Sequence, residues 1–441
     1  MGDFTVSLLF VTVFLFIIGQ IFVHFQNVCV ASSVSLPCFT ILTSVIYFFI
    51  IPYTLVSDSS SNYLGIYLSD MRWMQFSVLL YIAGMAAACR FFERNLKVNV
   101  AERRVNDRLY NQTIYYALIA ISFLGIFYLA FTNKLNLVSS SDFTFDKSQI
   151  NTFSFVNVVF NILIPLMLIF LIKRNFDLLS LFLMLILFWI LLQTGFRYRI
   201  LILAVSAGTA FFVANNYRIR TLYTVGGAFV GVFLVNLLGM VRRYGEGVDL
   251  SRLENVDFGS ILTSFRGEAG IAFVMDYTAR QPLPPLVTIE PWTVAIARLV
   301  PSFLWQNKPQ ASYLENIVAG ATTIRAEQAG AAAPQQVEML FQFGWPGIPV
   351  LAFLYFSFAV LLLGWINRLG REARIAGFAM IPVYFGYYMQ TRGYFSQILS
   401  DGLFFFLPLF MIHWFDRVSP NGRQNRDNTT LARSPFPEKY R

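Results

Sequence analysis

Long runs of apolar residues divide this chain, and few charged residues interrupt them. After Asp3, the next Asp, Glu, Lys or Arg is Asp58. An uninterrupted stretch of about 20 apolar residues is long enough to cross a bilayer as a helix. The runs predict eleven such helices, near 5–27, 34–56, 72–92, 114–132, 152–172, 177–194, 199–216, 221–241, 345–367, 375–391 and 394–416.

Composition narrows the class of protein further. The chain has 441 residues, of which 56% are hydrophobic, 17% aromatic and only 13% charged. An ordinary soluble domain is roughly 25% charged. These values exclude a soluble enzyme, a disordered protein and a disulfide scaffold. We therefore predict an all-α polytopic integral membrane protein.

The basic residues predict the orientation of the helices. Lys and Arg are enriched in the cytoplasmic connections of membrane proteins. Nineteen of the 33 basic residues fall on the side that holds the 90–113 connector and the tail, against six in the short connectors of the other side. This predicts an outward N-terminus and a cytoplasmic C-terminus. The net charge of +9 then indicates contact with anionic membrane lipid rather than with nucleic acid.

The spans and connectors divide the chain into four parts. We predict an N-terminal bundle of about eight helices at 1–241, an outward loop at 242–344, three helices at 345–416 and a disordered basic tail at 417–441. The loop has helical spacing at 260–277, at 291–300 and at 310–320, whereas 326–334 is predicted to be flexible. We expect short amphipathic helices that roof a cavity between the spans.

The residue types on the outward face limit the chemistry available there. All histidines and cysteines lie near predicted cytoplasmic helix ends: His24, His413, Cys29, Cys38 and Cys89. The sequence contains neither an acidic cluster nor a glycine-rich phosphate loop. We therefore predict no metal site and no cofactor. Arginines, isolated carboxylates and aromatic rings remain, and the planar guanidinium of Arg suits phosphate.

Two groups of outward residues lie before and within the loop. Arg197 and Arg199 stand where two spans meet the outer boundary. They are predicted to grip an anionic lipid headgroup, and snorkelling to the interface is an equal alternative. Arg266 and Glu268 follow in the loop, where Glu268 could act as a general base or form a solvated pair with Arg266.

Three further features lie later in the chain. Arg298 and Lys308 enclose Trp305, a pattern that could bind a phosphorylated sugar. Glu338 is the last acid before the ninth span, close to Gly344 and Gly347, where glycine permits a close backbone approach. Arg392 and Asp401 flank the start of the last span; Asp401 is either an intramembrane functional residue or half of a structural Arg–Asp pair.

These motifs resemble the O-antigen polymerase family, which polymerises oligosaccharide repeat units in bacterial envelopes. The resemblance covers roughly 190–400 and rests on a Gly-x-Arg element, an Arg-x-x-Pro-x-x-x-Trp-x-x-Lys-Pro run and a Glu-x-x-x-x-Phe-Gly-x-x-Gly element. In this chain the residues are Gly195, Arg197, Arg298, Pro301, Trp305, Lys308, Pro309, Glu338, Phe343, Gly344 and Gly347.

The resemblance implies a multi-pass protein of the bacterial inner membrane with a GT-C-like glycosyltransferase architecture. Its substrates would be undecaprenyl-diphosphate-linked oligosaccharides, with the growing glycan passed to the non-reducing end of a new carrier-linked unit. A chain-length regulator is a further candidate partner. The implied roles are headgroup and diphosphate binding by Arg, sugar or phosphate binding by Trp305 and Lys308, and general base catalysis by Glu268 or, second, Glu338. The cationic set is Arg197, Arg199, Arg266, Arg298 and Arg392, with Arg298 also assigned to the catalytic group.

Three alternatives stay open at this point. An O-antigen ligase uses the same carrier, but its family carries a functional His in the outer loop, and this loop has none. A transporter or flippase for the lipid-linked unit would favour charges along the interior of the bundle. A structural membrane subunit would leave the long outward loop unexplained.

Overall fold

The described part of the chain is helical, apart from four strands of two residues each. A computed structural model describes residues 2–28, 34–52, 62–63, 66–67, 72–96, 150–194, 197–215, 242–243, 247–248, 290–300, 334–392 and 395–418, with isolated positions at 116, 119–120, 123–124, 226 and 305.

The first described elements are two apolar helices, a two-residue hairpin and a third long helix. Helix α2 continues directly into a π-helical turn, π1, and Phe14 of α1 stacks on Phe49 of π1 with 6.0 Å between ring centroids. The bounds are α1 Gly2–Val28, α2 Leu36–Val45, π1 Ile46–Ile50, β1 Asn62–Tyr63, β2 Ile66–Tyr67, α3 Arg72–Phe91 and α4 Glu93–Leu96.

The middle of the chain contains three apolar helices. The turn between the first two is tight: Asn175 and Phe176 both have positive φ, and the Ser180 amide donates to Asp177 Oδ1 at 2.9 Å. Asp177 thereby caps the second helix, a position that favours a short side-chain acceptor. The bounds are α5 Ile150–Lys173, α6 Leu178–Thr194 and α7 Arg197–Ala214, followed by the hairpin of β3 Arg242–Arg243 and β4 Gly247–Val248.

The last elements surround the candidate site. Helix α9 is followed by Gly344, whose φ of 67° and ψ of −162° lie in a backbone region that is open to glycine and strained for other residues. A second π-helical turn, π2, follows shortly after Pro382. The bounds are α8 Glu290–Leu299, α9 Gln335–Phe343, α10 Gly347–Ile366, α11 Arg371–Val383, π2 Tyr384–Tyr388, α12 Met389–Arg392 and α13 Phe395–Val418.

Most of the predicted helices are confirmed wherever the structure describes them. The runs at 5–27, 72–92, 152–172, 177–194, 199–216, 345–367 and 394–416 each match one helix, and 375–391 matches α11 with π2 and α12. The run at 34–56 is a helix that becomes π-helical at Ile46. The runs at 114–132 and 221–241 lie largely outside the described residues, as do the loop stretches at 260–277, 310–320 and 326–334. The predicted loop helix at 291–300 is confirmed as α8, whereas α9 was not predicted as a helix.

Two groups of helices build the core. Helix α3 packs along α10, where Gly84 leaves room for the backbone of α10 at Pro349 and Phe353. Helices α5, α7, α11 and α13 pack together beside this pair. Arg371 donates to the carbonyl of Ala214 at 3.2 Å, so the start of α11 meets the end of α7. This contact gives the two helices the opposite directions that the predicted topology requires.

Helices α6 and α10 both expose large apolar side chains. On α6 these are Leu178, Leu179, Phe182, Leu185 and Trp189, and α10 exposes four at helical spacing. Such faces are unusual on a soluble monomer and typical of contact with lipid or a partner. By length and composition, Arg72–Phe91 and Gly347–Ile366 could each cross a membrane, and shorter apolar stretches recur among the other described helices.

Candidate functional site

An apolar cavity of about 410 Å³ lies between α8, α9, α10, π2 and α13. Leu, Phe and Tyr side chains of α10, π2 and α13 form most of its wall, while α8 and α9 contribute most of the polar groups. Ligand sites in proteins have volumes of this order and combine apolar walls with a few placed polar groups. The cavity therefore has the size and composition of a site for an amphiphilic ligand.

The polar groups of the cavity lie along one face of α9. Gln335, Glu338 and Gln342 follow each other at intervals of three and four residues, which puts them on one side of a helix. All three are buried. Each is held by a different element: Tyr81 of α3 donates to Gln335 at 2.9 Å and Trp292 of α8 donates to Gln342 at 3.2 Å.

Glu338 is held by the beginning of α13. The backbone N–H of Phe395 donates to Glu338 Oε2 at 2.6 Å, and the Glu338 side chain is 1% exposed. The first amides of a helix have no intrahelical acceptor and carry a partial positive charge, so they favour a carboxylate. This contact fixes a carboxyl group in the wall of a largely apolar cavity.

Aromatic rings border Glu338 on the side of α8. Trp292 lies 4.2 Å from Phe395 between ring centroids, and 40% of Trp292 is exposed. Tryptophan offers a flat apolar face with one polar N–H, and here the N–H is directed to Gln342. The exposed part of the ring leaves a surface on which a ligand can stack.

A second set of buried polar residues lies deeper in the bundle. Arg199 of α7 donates from Nε to Asn161 Oδ1 at 3.0 Å, and Asn161 of α5 donates to Asp401 Oδ1 at 3.1 Å. Tyr388 of π2 donates to Asp401 Oδ2 at 2.6 Å. The Tyr388 ring stacks on Tyr198 at 4.3 Å, and Arg199 lies 5.1 Å from the Tyr198 ring. We call Arg199, Asn161, Tyr388 and Asp401 the interior network.

The structure places some of the predicted site residues and not others. Glu338 lines the cavity, and Trp305 is described alone, with 40% of it exposed. The backbones of Arg197, Arg298 and Arg392 lie at the start of α7, in the last turn of α8 and at the end of α12. The remaining predicted residues lie outside the described part of the chain: Arg266, Glu268 and Lys308. The predicted roles of all these residues stay predictions.

The side chain of Arg199 is buried, which we did not expect. We expected it on a lipid headgroup or snorkelling to the interface at the outer boundary, but it is 0% exposed and donates to Asn161. Headgroup binding by Arg199 stays a prediction, because its buried side chain does not reach the surface of the bundle. Asp401 is bound by Asn161 and Tyr388, which links it to Arg199 through one amide.

Several residues of these two sites were not predicted. Gln335 and Gln342 share a helix face with Glu338, and that spacing was readable in the sequence. Asn161 lies within a long apolar helix, where a buried polar side chain needs hydrogen-bond partners and so invites attention. Tyr388 and Trp292 carried no comparable signal, since aromatic residues are common throughout this chain.

Within the described residues, no group of three His, Cys, Asp or Glu side chains is close enough to hold a metal ion. Comparisons of the chain with protein-family models, curated proteins and solved structures found no significant match. The resemblance to O-antigen polymerases therefore rests on the motifs themselves.

Proposed function

We propose that this protein is a bacterial inner-membrane glycosyltransferase that polymerises oligosaccharide units linked to a polyprenyl diphosphate. The observation that carries the proposal is the buried carboxylate of Glu338 in the wall of an apolar cavity. A substrate with an apolar chain and a sugar needs an apolar wall and a polar acceptor for its hydroxyl groups within one site, whereas its anionic diphosphate needs cations. The exposed apolar face of α6 supports the membrane location.

The proposed reaction exchanges one C–O bond for another. A hydroxyl of the acceptor unit attacks the anomeric carbon of the donor glycan, whose bond to the diphosphate oxygen breaks. The hydroxyl proton goes to a carboxylate, and the polyprenyl diphosphate leaves. A positioned general base contributes typically 10²–10⁴-fold to such a step.

Glu338 is the candidate base whose contacts can be described. Its Oε2 is held by Phe395, so the carboxylate has a defined orientation toward the cavity. Glu268 is the other candidate, and it lies outside the described residues. The leaving diphosphate needs cations, and Arg392 lies three residues before Phe395 in the chain. We propose Arg298 and Arg392 as the first residues to test for that role.

The interior network favours one competing function. A transporter or flippase of lipid-linked units is expected to carry charges inside the bundle, and Arg199 and Asp401 are both buried there. The two functions differ in their products: a polymerase lengthens the glycan, whereas a flippase only moves the unit across the membrane.

The test uses deletion in the source bacterium followed by analysis of its surface glycolipid on a gel. Retention of a single repeat with loss of the ladder would support a polymerase. Loss of every repeat would favour a ligase or flippase, and an unchanged ladder would exclude this glycan as the product. Purified protein in nanodiscs should then convert the carrier-linked unit into polymer and free polyprenyl diphosphate.

Variants test the role of Glu338 within this function. Glu338→Gln keeps the shape of the side chain and removes its charge, and it should lower polymer formation by at least tenfold at matched protein level. Glu372→Gln, the same change at the opposite end of α11 from the cavity, serves as the control. Full activity of Glu338→Gln would remove Glu338 from the mechanism and direct attention to Glu268.

A further inference from the structure

Asp401 ties four elements of the bundle together. Its two carboxylate oxygens accept from Asn161 of α5 and from Tyr388 of π2, and Asn161 accepts from Arg199 of α7. Asp401 itself belongs to α13 and is 8% exposed. A carboxylate is retained in an apolar interior only where donors compensate its lost hydration. These bonds therefore fix one point of α13 relative to α5, α7 and π2.

The same helix also supplies the contact to Glu338. Phe395, the first residue of α13, donates its N–H to the Glu338 carboxylate. Asp401 lies six positions after Phe395, which corresponds to about 9 Å along an α-helix. Because a helix is stiff over less than two turns, a shift or rotation at Asp401 displaces the Phe395 amide as well.

We propose that Asp401 is a positioning residue for Glu338. The interior network holds α13 in the axial position and rotation at which the Phe395 amide binds the Glu338 carboxylate. The role assigned to Glu338 in turnover rests on the proposed function; the link between Asp401 and the Phe395 amide does not.

The geometry around Tyr388 strengthens this link. Tyr388 is in π2, where an extra residue is inserted into the helical turn, and such turns occur frequently at functional sites. Its ring is clamped on Tyr198 with an interplanar angle of 19°, which directs the hydroxyl to Asp401. The neighbouring Tyr384 of π2 lines the cavity. Thus π2 contacts both the interior network and the cavity that contains Glu338.

The first experiment follows the Phe395 amide by hydrogen exchange, with residue-level fragmentation, for the full-length protein in nanodiscs. This amide has no helical acceptor, so its protection depends on Glu338. Asp401→Asn retains the shape of the side chain but replaces one carboxylate oxygen by an NH₂ group. That group is a donor and would face the donor of Asn161 or of Tyr388. Asp401→Asn should raise the exchange rate at Phe395 at least tenfold, and Glu338→Ala should do the same.

Two further variants separate positioning from a general loss of stability. Tyr388→Phe removes one donor and keeps the ring stack, and it should raise exchange at Phe395 to a smaller extent. Asp177→Ala removes the cap of α6 and leaves the network untouched; it should leave the Phe395 amide protected. Unchanged exchange in Asp401→Asn, or equal acceleration in Asp177→Ala, would overturn the proposal.

The second experiment measures turnover of the carrier-linked unit. Asp401→Asn should lower kcat roughly 10- to 100-fold, since a displacement of about 1 Å can have this effect, and should leave KM unchanged. If Asp401 acts through Glu338, adding Asp401→Asn to Glu338→Gln should lower kcat no further. Multiplying losses would refute that link. Absence of polymer in the wild type, with exchange still raised in Asp401→Asn, would refute the proposed function and support the positioning of Glu338 by Asp401.

Discussion

The contact between α3 and α10 makes Gly84 a position where a single methyl group should be costly. A Cβ atom at residue 84 would lie 2.9 Å from the Cβ of Ala352 and 3.1 Å from the backbone N of Phe353, with the carbonyl oxygen of Pro349 closer still. Ordinary van der Waals contact begins at 3.4 Å. Two of these three atoms are backbone, so they cannot rotate away. The helices themselves must move apart.

The size of the effect follows from that movement. Restoring contact to Ala352 alone needs a displacement of roughly 0.5 Å, and a gap of 0.5–1 Å forfeits a quarter to a half of the dispersion energy at each affected contact. Overpacking of this kind costs about 1–3 kcal/mol. Alanine regains up to about 1 kcal/mol of helix propensity over glycine. The contact with Pro349 is the shortest of the three, so the cost lies near the upper end of this range, and we expect Gly84→Ala to lower the free energy of unfolding by about 2 kcal/mol.

The assay is thermal unfolding with a thiol-reactive dye, because Cys38 and Cys89 are both buried and react when the bundle opens. Gly208→Ala is the matched control, since it is also within a helix and a Cβ there meets nothing within 4 Å. At one scan rate, Gly84→Ala should melt a few degrees below the wild type, and Gly208→Ala should melt at or above it. Equal midpoints for the two variants would refute this account of the α3–α10 contact.

Two more predictions concern the cavity and the α5–α6 turn. Leu403 lines the cavity and is 50% exposed, so Leu403→Trp should fill part of the cavity and raise KM for the carrier-linked unit. Leu178→Trp, on the exposed face of α6, should leave KM unchanged. Equal kinetics for the two variants would contradict this role of the cavity. The Ser180 amide, with Arg174, lowers the pKa of Asp177 below its ordinary value of 3.8. The contribution of ionised Asp177 to the free energy of unfolding is therefore complete above pH 3.8, and it disappears as the pH falls through the lowered pKa of the folded state. Asp177→Ala should melt below the wild type at pH 7, with a difference that shrinks in acid, and a difference independent of pH would show that the charge of Asp177 contributes nothing.

The local sequence indicated Glu338 as a site residue, but it did not indicate the partners of Glu338 or of Arg199. Glu338 attracted attention as an isolated acid beside a small-residue turn, and it lies in the cavity wall. Its partner is a backbone amide 57 positions later in the chain, and a backbone group leaves no mark in a sequence motif. Arg199 was assigned to the outer boundary because it stands at the end of an apolar run. Its burial depends on Asn161, 38 positions earlier, and that pairing arises only when α5 and α7 pack together.

The sequence alone determined most of the helices in the described part of this protein. Long apolar runs force the backbone to satisfy its hydrogen bonds within each segment, so they predict helices without any knowledge of their neighbours. The packing of α9 on α10 and of α8 on α13, the two π-helical turns and the interior network were decided by the tertiary structure. Each depends on groups far apart in the chain, such as Asn161 and Asp401 or Tyr81 and Gln335. A local pattern specifies which residues face one side of a helix, whereas the assembled bundle determines what lies opposite them.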